Sequence, residues 1–102
     1  MKWNDCYLEG NVGRDATAKQ LSKHWLTTFT LAVSQGKEKQ PMWLNIKHFN
    51  ENGPLEIRKG QKVSVRGRLF FDQWNDQEGK QRQSWGIIAD IVDEQRKEED
   101  VF

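Results

Sequence analysis

The chain has little of what most chemistries need. One cysteine, Cys6, in 102 residues excludes an internal disulfide. No His or Cys stands near it at metal-ligand spacing, so it is expected as a small, partly buried residue early in a strand. The two histidines, His24 and His48, have no Cys, Asp or Glu at ligand spacing, which argues against a metal site. Nucleophile elbows and phosphate-binding glycine loops are missing too, and the expectation is a protein without catalytic residues or cofactor. No apolar run approaches the ~18 residues of a membrane span. The polar start Met1-Lys2-Trp3-Asn4-Asp5 is unlike a signal peptide, so a cytoplasmic protein with no membrane partner is expected. Excess charge is scarce as well, with a net of +1. That balance hides a division. Residues 93–102 hold five acids against two bases, whereas residues 1–92 hold 14 bases against 10 acids, a mildly basic body with an acidic tail.

What is present is alternation. In Met42-Trp43-Leu44-Asn45-Ile46-Lys47-His48-Phe49 the period of two puts Met42, Leu44, Ile46 and His48 on one face and Trp43, Asn45, Lys47 and Phe49 on the other. A water-facing row has no need of Trp and Phe. A surface that stacks flat rings and neutralises phosphates needs both residue types side by side.

Five stretches carry strand character: 7–12, 25–33, 42–49, 61–74 and 81–92. Odd positions from Trp25 to Val33 face the core in the second stretch. Gln61–Trp74 places Val63, Val65, Leu69 and Phe71 opposite Lys62, Ser64, Arg66, Arg68 and Phe70, a row whose parity continues to Trp74. Gly67 marks a bulge or a barrel corner within it. In the last stretch Trp85, Ile87, Ala89 and Ile91 share a face, and Asn75 to Gly79 form the hairpin tip. Trp25 and Trp85, in parity with apolar neighbours, are expected in the core or a subunit interface. Residues 50–60 suit a short helix, a turn or an extended crossing, because Asn52-Gly53-Pro54 breaks anything longer. This order predicts an all-β, five-stranded OB-fold barrel of Greek-key type with a short helix or turn between strands 3 and 4. The domain is expected over 1–93, followed by a short acidic tail over 94–102.

On those residues the chain resembles the bacterial single-stranded DNA-binding protein family over nearly its whole length, as a tail-truncated variant without the family's long linker. The resemblance runs through Gly10-Asn11-Val12-Gly13-Arg14-Asp15, Phe29-Thr30-Leu31-Ala32-Val33, Trp43 to Phe49, Arg58-Lys59-Gly60, Val63 to Leu69 and Trp74-Asn75-Asp76-Gln77-Glu78-Gly79. It implies that Trp43, Phe49 and Trp74 stack on bases. The interleaved cations Lys47, Arg66, Arg68, Lys62, Lys59 and Arg14 are then the phosphate contacts. Single-stranded DNA bound without sequence readout, in replication, recombination or repair at the bacterial nucleoid, is the implied role, and a homo-oligomer, dimer or tetramer, the implied assembly. Asp100, Val101 and Phe102 resemble the family's acidic tip, which recruits replication and repair enzymes; an ordinary charged terminus is the alternative.

Departures from the family stand beside this. No aromatic occurs in the loop Ser34 to Gln40, and Glu51 and Gln73 stand where cations are common. Two other functions therefore stay open, a primosomal accessory protein acting through protein contacts and a protein-interaction module. Nothing in the pattern identifies a reader of the 2′-hydroxyl that would separate RNA from DNA.

Overall fold

The computed structural model describes residues 4–94, which form six strands and no helix. These are β1 (Cys6–Val12), β2 (Thr17–Gln20), β3 (Trp25–Val33), β4 (Met42–Asn50), β5 (Lys62–Asn75) and β6 (Gln81–Glu94). Their order is β1-β5-β6-β4-β3-β2, and β1 also pairs with β3 at Asn11–Ala32 and Val12–Leu31. The hydrogen bonding therefore runs round a ring that β1 closes, with β2 appended to β3 outside it. Every pairing is antiparallel except β4 with β6.

The core fills the ring with alternate side chains. Phe29 and Leu31 of β3, Leu44 and Ile46 of β4, Val63 and Val65 of β5, and Ile87 and Ala89 of β6 are buried together with Val12. Burying each large aliphatic side chain contributes about 1.5–3 kcal/mol. Thr27 is buried in the same row, and its hydroxyl accepts a hydrogen bond from the Leu55 N–H at 3.1 Å. That bond leaves no orphaned polar atom and anchors the segment between β4 and β5. The segment is an extended crossing with turns at 51–52 and 59–60. Ile57 enters the core, and its carbonyl accepts from the Ala16 N–H at 2.8 Å. Cys6 is a free, partly buried thiol packed against the core.

Two features differ from the sequence expectation. The sixth strand, β2, lies in what reads as a polar loop, because all four of its residues are exposed and it has no apolar face to signal it. Backbone pairing with β3 and a 2.8 Å hydroxyl contact between Thr17 and Thr28 hold it. The bulge expected at Gly67 is present, and the second difference is what it does to β6. Arg66 pairs with Ile91 but Gly67 with Ala89, leaving Asp90 as the extra residue on β6. Parity on β6 flips there. Ile91 turns to the outer face and Val92 takes the place against the core, so the expected row Trp85, Ile87, Ala89, Ile91 breaks at its last member.

Beyond the core, β5 and β6 continue as a two-stranded arm. β1 accompanies β5 only from Lys62 to Gly67, and β4 accompanies β6 only from Gly86 to Ala89. Leu69, Phe71 and Trp85 keep core-side parity yet stand outside the ring, and Trp85 is 49% exposed rather than buried. The Phe71 and Trp85 rings meet at 4.5 Å and 41°. At the tip the Asp76 carboxylate accepts from the N–H groups of Glu78 and Lys80 and from Arg82 Nε, each at 2.9 Å. The Arg82 hydrogen bond, with the backbone donors behind it, holds the Asp76 pKa below its ordinary value against the opposing effect of desolvation.

Candidate nucleic-acid interface

The outer face of the ring collects the residues that alternation assigns away from the core. Register across β3 and β4 pairs Ala32 with Trp43, Thr30 with Asn45, Thr28 with Lys47 and Leu26 with Phe49. On the other side β6 pairs with β4 through Gly86–Asn45 and Ile88–Lys47, and with β5 through Gly86–Phe70, Ile88–Arg68, Ser84–Asp72 and Arg82–Trp74. Directly paired residues project to the same face, so Trp43, Lys47 and Phe49 share one surface with Arg68, Phe70 and Trp74. Trp43 is 58% exposed, Phe49 45% and Trp74 49%. Large rings this open are available for contact.

Two glycines shape this surface. A Cβ at Gly13 would come within 2.5 Å of Trp43 Cζ3 and 2.8 Å of Thr30 Oγ1, so the indole leans over bare backbone. A Cβ at Gly86 would meet the Asn45 carbonyl oxygen and come within 2.5 Å of Phe70 Cε1 and Cζ. The Phe70 ring therefore lies across β6 toward β4. Lys47 reaches back over it, with Nζ 4.7 Å from the ring centroid and 3.6 Å from Asp72 Oδ2. Arg14, Thr17, Thr28, Thr30 and Asn45 join Lys47, Phe70 and Asp72 around a groove of about 200 Å³.

The remaining cations are spread out. Arg68 lies beside the Phe70 row, but Arg66 is across the bulge and donates to Asp5 through Nε at 3.3 Å and Nη2 at 2.8 Å. The hydrogen bond and the charge of Asp5 raise the guanidinium pKa. Arg66, Arg68, Asn4, Asp5, Asp90 and Ile91 border a second, separate depression of about 700 Å³. Lys62 starts β5 beside Asn11 of β1, at the opposite end of the strand from Trp74. At ~3.3 Å per residue that separation is roughly 40 Å along the strand. The Lys59 N–H donates to Asp15 Oδ1 at 2.7 Å, which brings Lys59 near Arg14. Asp100, Val101 and Phe102 lie outside the described residues.

Asp72, Gly13 and Gly86 belong to this surface although sequence reasoning did not place them in the site, and Phe70, placed in the outward row but not among the stacking residues, joins them. Phe70 carries a legible signal, its parity with Arg68 and Trp74. The glycines carry none, because a close approach between segments far apart in the chain leaves no local trace.

A profile of the single-strand binding protein family matches residues 3–95. The chain belongs to that family. Among relatives, single-stranded DNA-binding protein 1 of Synechocystis sp. is 28% identical over 95 residues, covering 86% of this chain and 78% of the relative. The single-stranded DNA-binding protein of Thermosynechococcus vestitus is 30% identical over 99 residues, covering 91% of this chain and 82% of the relative. Among solved structures, the Plasmodium falciparum SSB complex with ssDNA superposes with a TM-score of 0.69 at 25% identity, over 91% of this chain and 93% of that one. Among the described residues of this single-strand binding family member, no helix is long and apolar enough to cross a membrane.

Proposed function

We propose that the chain is a non-enzymatic OB-fold protein that binds single-stranded DNA largely without regard to sequence, in replication, recombination or repair. The observation that carries this reading is the shared outer face of β4, β5 and β6, on which Trp43, Phe49 and Trp74 stand open among Lys47 and Arg68. Every base offers a π-face and every nucleotide a phosphate, so rings interleaved with cations bind single strands irrespective of sequence. In duplex DNA the base faces are stacked on one another and withheld. The family membership and the likeness to a complex with ssDNA support the same reading.

In this reading Trp43, Phe49 and Trp74 stack on bases, while Lys47, Arg68, Arg14 and Lys59 contact phosphate. Lys62 and Arg66 serve a strand that continues over the far end of β5. Homo-oligomeric assembly, a position at the nucleoid and recruitment of replication or repair proteins through Asp100, Val101 and Phe102 belong to the same proposal. Binding of a fluorescein-labelled oligonucleotide, followed by anisotropy in competition with unlabelled single-stranded DNA, duplex and RNA of equal length, tests it. Single-stranded DNA should compete best. Competition by duplex as strong as by single strands would refute stacking as the mode of binding. Recovery of partners by the chain with and without Val101 and Phe102 tests the tail, and equal recovery would remove its role.

A further inference from the structure

The groove beside Arg14 contains an aromatic ring that already has a partner. Phe70 rests over Gly86, the Lys47 ammonium sits 4.7 Å above its centroid, and Asp72 holds that ammonium at 3.6 Å. Phe70 and Asp72 are both on β5, two residues apart on the same face, and Lys47 crosses to them from β4 over the bare backbone of Gly86. A cation over a ring face occupies the surface on which a base would stack, and a carboxylate beside it competes with phosphate for the same ammonium. We propose that Phe70 is a further base-stacking site, closed in the unbound protein by Lys47, which Asp72 tethers, and opened when a nucleotide's phosphate takes Lys47 and its base takes the ring.

The exchange is balanced in charge. Lys47 leaves one anion, Asp72, for another, the phosphate, and Asp72 is left facing solvent to recruit a cation of its own. Asp72 therefore subtracts from the counterion release that Lys47 would otherwise contribute, and makes binding weaker and less salt-dependent than the count of cations implies. The lysine and aspartate side chains are 37% and 53% exposed, so the tether is a surface ion pair that a phosphate can displace.

This inference rests on the single-strand binding reading, and its test separates the two. The affinity of the full chain for a labelled oligo-dT is measured by anisotropy over a series of NaCl concentrations, for the unaltered protein and for Phe70→Leu, Phe70→Tyr and Asp72→Asn. Failure of the unaltered protein to bind at low salt would overturn the function itself. Given binding, Phe70→Leu should lose affinity roughly tenfold, by the same factor at every salt concentration, because stacking is not a counterion effect. Phe70→Tyr keeps the ring and should bind as the unaltered protein does. Asp72→Asn should bind about three- to tenfold more tightly at low salt, with a log–log salt slope steeper by about 0.7, one phosphate contact of a single strand. Unchanged affinity in Phe70→Leu would overturn the stacking site. Equal or weaker binding by Asp72→Asn would overturn the tether. Asp72 is exposed, so its variant tests the tether even where a leucine at position 70 disturbs folding.

Discussion

Single residues divide into those whose placement follows from parity and those whose placement depends on a distant partner. Trp43, Lys47 and Phe49 lie in an unbroken stretch of β4, and the structure leaves Trp43 and Phe49 open on the outer face as alternation predicts, although Met42 on the opposite row is exposed too. Trp43→Ala and Trp74→Ala should each weaken oligo-dT binding by about 1–3 kcal/mol, read by anisotropy, with folding checked by far-ultraviolet circular dichroism. Arg66 is different. Its ion pair joins residues 61 positions apart, so no local pattern announces it. Because Asp5 already neutralises part of its charge, Arg66→Ala should flatten the log–log salt slope less than Arg68→Ala, for which a loss of about 0.7 is expected. Equal losses from the two variants would show that Asp5 does not hold Arg66 back from the strand.

At the scale of elements, the structure departs from sequence reasoning wherever backbone hydrogen bonding acts without apolar patterning. β2 is an edge strand of exposed residues, and a β6 bulge at Asp90 moves Ile91 to the face opposite Trp85. The segment of residues 51–61 is extended because Thr27 and the core claim Leu55 and Ile57. By contrast, the hairpin tip at Asp76 follows directly from its turn residues. Its carboxylate pKa is lowered in the folded chain, so the bonds it accepts are fully present at neutral pH. Their contribution to stability begins to fall as the pH drops through the ordinary carboxylate range near roughly pH 4, and the bonds themselves are lost only below the lowered folded value. Amide hydrogen exchange at Glu78 and Lys80 should therefore speed up, relative to exchange in the core strands, on acidification below that range. In Asp76→Asn the same amides should show no such step. Gly86 carries a packing prediction of its own. Gly86→Ala drives a methyl group into the Asn45 carbonyl and the Phe70 ring, and should destabilise the chain by about 1–3 kcal/mol in urea denaturation.

The whole molecule joins a closed ring of strands to an open arm. The ring supplies the core, and the arm carries Asp72 and Trp74 past it, so that β5 and β6 together link the packed body to the far end of the outer face. Overall charge has little part in this, since the net is +1 and the outer face pairs Lys47 with Asp72. In the proposed function, local rings and locally placed cations carry the binding, and Trp43 and Trp74 come into contact with bases. Titration of intrinsic tryptophan fluorescence with oligo-dT, at low and at high NaCl, reads that contact itself. Quenching should saturate at low salt, with weaker affinity at high salt and a smaller quench in Trp43→Phe and Trp74→Phe. Unchanged fluorescence at low salt, in protein shown to be folded, would contradict that contact.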